Sequence, residues 1–222
     1  MKNASIKISL IALLIILSTY KPKFGINIDG IVFPIKSIIV ENTYILEKQL
    51  VLDKLSVIMG KSLMFVDKKA ITQIISDLSY VDSARIKKIY PSTIKILIKE
   101  KKPVATYMDK KKKYYLNERG DLIKYIEHEN YKSIPTVFGK NINFGLIYKK
   151  LKKTNFSLLN IKSFYYFEIG RWDIVTKNNK ILKLPTENLE KSLLHFIDNS
   201  DDPNFYKFEI FDYRIKGELI LQ

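Results

Sequence analysis

The sequence predicts an α+β protein: an N-terminal transmembrane helix, a β-α-α-β-β unit, and then a mainly antiparallel β domain with short helices. Three observations predict it. Ile8 to Tyr20 is a run of thirteen residues without a charge. Between residues 34 and 103, two apolar stripes at helical spacing lie between segments of period two. Near the carboxyl end, Phe211, Tyr213, Ile215, Leu219 and Leu221 alternate with polar residues, the signature of a half-buried strand.

The apolar run decides where the rest of the chain sits. Lys2 and Lys7 precede the apolar run, and Lys21 and Lys23 follow it. As a helix, thirteen residues span about 20 Å, short of the roughly 30 Å hydrocarbon core. Starting at Asn3 lengthens it to about 27 Å, with Lys7 snorkelling to the headgroups. A cleaved secretory signal has a similar basic start and short apolar stretch, but expects a small-residue cleavage site. Lys21-Pro22-Lys23-Phe24-Gly25 supplies none. The expectation is therefore a short cytoplasmic tail at 1–7, an anchor at 8–23, and some 200 exported residues. Equal lysine numbers on the two flanks leave the orientation unmarked.

In the β-α-α-β-β unit, Ile35 to Val40 reads as a strand and Glu41-Asn42-Thr43 as capping residues. Val51, Leu52, Leu55, Ile58 and Met59 make one helical face, ending at Gly60, which suits a left-handed cap. Asp67 offers an N-cap for a second helix with Ile71, Ile74, Ile75 and Leu78 on one side. Ala84 and Ile86 belong to a second strand, and Tyr90-Pro91-Ser92-Thr93 forms a turn. Ile94, Ile96 and Ile98 alternate with Lys95, Leu97 and Lys99 in a third strand. Two helices on one face of three strands bury both stripes in a unit of about 70 residues.

From Val104 the elements shorten. Tyr114 to Asn117 and Leu122 to Ile126 flank a Glu118-Arg119-Gly120-Asp121 turn. Phe144, Ile147, Tyr148 and Leu151 share a helical face, Phe164 to Ile169 is β-prone, and Trp172 to Thr176 with Ile181 to Leu184 flank a second turn. Leu189, Leu193, Phe196 and Ile197 mark a short helix. One long strand running from Phe211 almost to the last residue is the expected ending.

The net charge of +15 is distributed as +3 over residues 1–33, +6 over 34–103 and +6 over 104–222. Such a spread describes a solvated surface, with attraction to anionic lipid as the next reading, rather than a nucleic-acid footprint. Lys110 to Lys113 beside Tyr114 and Tyr115 reads as a soluble hairpin tip before it reads as a base-stacking platform. The chain has no Cys, which removes disulfides and thiolate chemistry. His128 and His195 have no second ligand at metal spacing. Neither a dinucleotide fingerprint, a P-loop nor a nucleophile elbow occurs. No catalytic, cofactor or metal site is expected, and no small-molecule substrate.

Gly60 to Asp67, Val81 to Arg85, Tyr90-Pro91 and Glu100-Lys101-Lys102-Pro103, in this order and spacing, resemble the POTRA domain of the bacterial cell-division FtsQ (DivIB) family. Arg171-Trp172-Asp173, Leu182 to Pro185 and Phe211 to Arg214 look like that family's β-domain signatures. The resemblance covers nearly all of the chain after residue 34, with the POTRA domain at 34–103 and the β domain at 104–222. It departs from the family in a tail shorter than that of many relatives and in a chain that stops soon after the expected terminal strand.

The resemblance implies a bitopic inner-membrane divisome scaffold, its C-terminal domains periplasmic and gathered at the septum. A terminal edge strand would take the FtsB subunit of the FtsB/FtsL pair by β-strand addition, with FtsK, FtsW and the septal peptidoglycan synthase as further partners. Carried onto this sequence, Ile215, Gly217, Leu219 and Leu221 would face the partner strand. Arg171 and Arg214 would meet partner carboxylates, and Glu100 would mark a second contact for FtsK-type proteins. For Glu100 a local ion pair with Lys101 or Lys102 is the alternative. For the apolar residues, the alternative is packing on the domain's own core. Two other functions compete: a POTRA-bearing outer-membrane assembly or secretion component, which needs a many-stranded barrel, and a membrane-tethered basic nucleic-acid binder, which needs salt-dependent DNA retention.

Overall fold

The computed structural model describes residues 9–15, 31–140 and 143–222. Residues 9–15 are helical, and the remainder of the expected anchor at 8–23 lies outside the described residues, as does the 1–7 tail. Among the described residues no helix is long and apolar enough to cross a membrane.

The first unit contains β1 (Ser37–Glu41), α1 (Lys48–Leu55), α2 (Lys68–Ser76), β2 (Val81–Ile89) and β3 (Thr93–Glu100). The strands are ordered β1-β3-β2, with β1 parallel and β2 antiparallel to the central β3. Period two in β3 turns Ile94, Ile96 and Ile98 into the core. There they meet Val51 and Leu55 of α1 and Ile71 and Ile75 of α2. Each of these aliphatic side chains contributes about 1.5–3 kcal/mol through burial. Ile96→Ala would therefore cost about 2–5 kcal/mol. Asp67 caps α2 as its position predicts, its carboxylate accepting the Lys69 N–H at 2.9 Å.

Two local expectations are corrected. α1 begins at Lys48 and not directly after Glu41-Asn42-Thr43, because residues 42–47 form a loop entered through Asn42 at φ 62°. At its other end the chain tightens into a 3₁₀ turn at Ser56–Ile58. The tighter turn rotates Met59 off the buried face that Val51, Leu55 and Ile58 share, and leaves it exposed.

The second unit is one nine-strand sheet with helices on one face. Its strands are β4 (Ala105–Asp109), β5 (Lys112–Leu116), β6 (Leu122–Lys124), β7 (Thr136–Phe138), β8 (Ile161–Phe167), β9 (Arg171–Thr176), β10 (Ile181–Lys183), β11 (Ile210–Asp212) and β12 (Ile220–Leu221). They lie in the order β12-β11-β10-β9-β8-β7-β4-β5-β6, an open sheet in which five of the eight pairings are antiparallel. α3 (Phe144–Lys153) and α4 (Leu189–Asp198) place their apolar faces over Phe164, Trp172, Ile174, Leu182 and Phe211. α5 (Pro203–Tyr206) leads into β11.

α3 meets the β5–β6 turn so closely that a Cβ on Gly145 would lie 2.5 Å from the Arg119 carbonyl oxygen. Only glycine fits there.

The two units share a core. Tyr115 and Ile123, cross-strand partners in β5 and β6, are buried with the first unit's side chains. Burial pushes the Tyr115 phenol well above its ordinary value, with Tyr125 adding to the effect. Tyr115 donates to the Ile126 carbonyl at 3.1 Å. Its ring is thus unavailable for stacking bases, and Lys113 beside it lies over Tyr125.

Candidate functional site

The sheet's two margins define the site. At one margin, β6 is bound by the first unit: the Lys124 N–H donates to Ser79 Oγ at 2.6 Å, and Tyr80 Oη donates to the Lys124 carbonyl at 2.8 Å. Desolvation pushes the Tyr80 pKa up to about 12. Alongside, Asp82 takes Lys99 at 3.1 Å and Arg119 at 2.6 Å. The Arg119 hydrogen bond holds the Asp82 carboxyl below its ordinary value against the opposing effect of burial.

At the other margin, β12 has a neighbour on one side only among the described residues. Gln222 exchanges hydrogen bonds with Ile210, its N–H donating at 3.1 Å and its carbonyl accepting at 2.9 Å. Leu221 stands opposite Phe211 in the next, non-bonded position. By antiparallel alternation, the Leu221 N–H and C=O face away from β11, toward the open side.

The single terminal strand expected from alternation is instead two strands joined by a turn. Glu218 N–H closes onto the Ile215 carbonyl at 3.2 Å, and Gly217 sits at φ 81°. An added Cβ at Gly217 would meet nothing within 4 Å, so conformation and not space favours glycine there. β11 is enclosed between β10 and β12, and among the described residues the open edge at this margin is that of β12.

The turn places the expected residues differently from one another. Ile215 is 50% exposed, whereas Leu219 and Leu221 are half-buried against the β-domain core. Ile220, which the sequence reading did not single out, is the more exposed apolar side chain of β12. Ile215, Gly217 and Leu219 line a groove of about 560 Å³ between the turn, residues 185–188 and α4. His195 and Tyr213 form its floor, joined by an Nδ1 to Oη contact of 3.1 Å. Burial raises the Tyr213 phenol pKa. His128 has a local role too, its Nδ1 accepting the Asn130 N–H at 3.2 Å.

Behind the edge runs a charged row. Register pairs Asp173 with Lys183 and Lys183 with Asp212. Arg214 grips Asp212, with Nε donating at 2.8 Å to Oδ1 and Nη2 donating to Oδ2. This hydrogen bonding outweighs burial and holds the Asp212 carboxyl below its ordinary value. Two strands away, on β9, Arg171 stacks its guanidinium 4.2 Å from the Phe167 ring centre and brings Nε to 3.2 Å from Asp173 Oδ1. That contact is an ion pair without hydrogen-bond geometry: both atoms are buried and neither has a hydrogen-bond partner. Burial raises the Asp173 carboxyl above its ordinary value, although Arg171 and Arg214 pull it down. The sequence motifs located both arginines but gave no sign that each already holds an aspartate of its own chain.

Glu100 lies far from this edge. Its carboxylate accepts backbone N–H groups from Tyr44 at 2.8 Å, Ile45 at 3.2 Å and Leu46 at 2.9 Å. It staples the 42–47 loop, and among the described residues it forms no ion pair with Lys101 or Lys102.

No group of three or more metal-binding side chains occurs among the described residues. The arrangement offers backbone pairing, a groove of mixed apolar and polar lining, and paired charges, all of which are tools of protein recognition.

Comparison with known proteins agrees in kind. Residues 33–101 match the FtsQ-type POTRA domain family. The chain is 21% identical to the cell division protein FtsQ of Rhizobium meliloti over 60% of its length and 43% of the relative's. It is 23% identical to FtsQ of Rhizobium radiobacter, covering 60% of this chain and 64% of that one. It is also 23% identical to FtsQ of Rickettsia bellii, over 72% and 61%. The chain thus spans less than two thirds of the length of these curated relatives. A solved structure, the major extracytoplasmic domain of the trans isomer of DivIB from Geobacillus stearothermophilus, aligns with 48% of this chain and 96% of its own at 14% identity, with a TM-score of 0.33.

Proposed function

We propose, since the chain belongs to the FtsQ (DivIB) family of bacterial cell-division proteins, that it is a non-catalytic scaffold which recruits other division proteins by lending them a sheet edge. Residues 8–23 hold it in the inner membrane, and the two folded units stand on the periplasmic side at the septum. An incoming strand from an FtsB-type partner, itself paired with an FtsL-type protein, pairs with the Leu221 N–H and C=O and continues into the groove beside Ile215. FtsK, FtsW and the septal peptidoglycan synthase act further along the same assembly.

The observation that carries this reading is β12, hydrogen-bonded to β11 on one side and, among the described residues, unpaired on the other. Unpaired strand groups at an exposed margin attract another backbone, and the margin of β12 carries none of the lysines that commonly blunt an edge. Charge adds orientation. Asp212 occupies Nε and Nη2 of Arg214, and the exposed remainder of the guanidinium is left to donate to a partner carboxylate. Arg171, only 16% exposed in its side chain, supports the row through Asp173. Glu100 acts by holding the 42–47 loop in place for any partner that reads the first unit.

The test is co-purification of tagged full-length protein with co-expressed FtsB- and FtsL-type proteins. Leu221→Pro deletes an N–H that β11 does not use and trims only a half-buried side chain at the end of the sheet, so the fold persists with a small loss of packing while pairing fails. Capture by the wild type and loss with Leu221→Pro supports the proposal. Equal capture by both removes strand addition.

A further inference from the structure

The end of the first unit farthest from the β domain carries an apolar tip that the edge mechanism does not use. Three segments meet there. Ile31 to Pro34 pairs with the loop at residues 59–66, with Leu63 N–H donating to the Phe33 carbonyl at 2.8 Å and Ser62 Oγ donating to the Val32 carbonyl at 2.7 Å. The β2–β3 turn closes the group, with the Tyr90 ring centre 5.3 Å from that of Phe33 and Lys88 Nζ donating to the Met64 carbonyl at 2.9 Å.

Hydrogen bonding has fixed the backbone of this tip and left its large side chains in water. Phe65 is 80% exposed, Ile31 58%, Tyr90 52% and Met64 48%. Contiguous exposed apolar surface of this kind marks something that covers it.

The surrounding charge identifies what does. Lys61, Lys68, Lys69 and Lys87 are exposed around the tip, and Asp67 is engaged in capping α2. Lys68 and Lys69 stand in the first turn of α2, which contains no acidic residue. Positive charge there opposes the helix dipole, so helix stability does not explain its placement. Large apolar and aromatic side chains ringed by lysines match the boundary between acyl chains and anionic headgroups. Ten residues, 21–30, separate the apolar run from Ile31, so the tip lies within about 35 Å of the end of that run. A tether that short makes even a weak surface contact persist.

We propose that this tip rests on the anionic surface of the same bilayer that holds the anchor, with Phe65 and Met64 inserted among the headgroups, so that the first unit stands upright and presents the β12 edge away from the membrane. The inference rests on the anchored reading, and its test separates the two.

The chain has no cysteine, so single cysteines at Phe65 and, as a control in the β domain, at exposed Leu159 can carry an environment-sensitive fluorophore. Full-length protein is reconstituted in vesicles of phosphatidylglycerol and phosphatidylcholine, with nitroxide-labelled lipid as quencher. Flotation with the vesicles reports the anchor. In floated protein, the label at 65 is expected to shift to the blue and to be quenched, while that at 159 stays as in water. Lys68→Glu with Lys69→Glu, or vesicles of phosphatidylcholine alone, should remove most of the quenching at 65 without altering flotation. Floated protein in which both labels report water overturns the tip contact and leaves the anchor standing, and points to a protein partner for the tip. Failure to float overturns the anchored reading itself.

Discussion

At one margin of the nine-strand sheet, β6 gives its Lys124 N–H and C=O to Ser79 and Tyr80, with Tyr115 and Ile123 buried behind them. At the other, β12 leaves the backbone of Leu221 open among the described residues, and a groove rather than a domain lies beside the turn that leads into it. The same kind of edge is thus sealed where the chain has a unit of its own to cover it and left ready where it does not. An unpaired margin is a hazard in a soluble protein, since it invites pairing with any passing strand. Its retention next to a row of paired charges is physically reasonable if a particular strand completes it.

The largest expected effect comes from Leu221→Pro, which should weaken partner binding by about 30-fold or more, the scale of an interface hot spot, while lowering the melting temperature only slightly, through the packing that the half-buried Leu221 side chain gives up. A large fall in melting temperature would mean that β12 matters to the fold in the way β6 does. Ile215→Asp should weaken binding to a smaller degree with little effect on folding, because the side chain is exposed. Leu219→Asp should lower both, because Leu219 packs on the β-domain core. Parallel titrations and thermal melts separate the two.

At the sealed margin the pattern reverses. Tyr80→Phe leaves the Lys124 carbonyl without its donor and should cost about 1 kcal/mol of stability, measured by urea unfolding, with partner binding unchanged.

Acid separates the margins more gently. The folded Asp82 carboxyl lies below its unfolded value of 3.8, held there first by Arg119. Its stabilisation is complete above that value and disappears as pH falls through the lower, folded one. Asp82→Asn should therefore flatten the loss of stability below about pH 4. Asp173 behaves in the opposite sense. Its folded carboxyl is raised by burial, so its contribution is most favourable when protonated and declines as pH rises through the folded value. Asp173→Asn should leave the neutral-pH melting temperature equal or slightly higher, the smallest effect of the series.

How far these margins could be read from sequence depends on whether the signal is local. Asp67 before α2 and the Ile94, Ile96, Ile98 alternation of β3 were legible because a cap and a pleat are properties of neighbouring residues. The end of the chain misled for the same reason: period two continued through residues 213–219, although Gly217 and the Ile215 to Glu218 hydrogen bond turn the chain there. Glu100 was visible as a motif residue, but its task of binding three N–H groups more than fifty residues earlier has no local signal. The pairings of Arg171 with Asp173 and of Arg214 with Asp212 lay within a two-residue spacing, yet their burial, which decides their energetics, came from the sheet around them.

Amide hydrogen exchange at Leu221, followed by NMR with and without the proposed FtsB-type partner and with the Lys124 amide as internal reference, tests the open edge most directly. The expected result is fast exchange at Leu221 in the free protein, strong protection in the complex, and protection at Lys124 throughout. A Leu221 amide already protected in the free protein, or unchanged when the partner binds, would contradict the account.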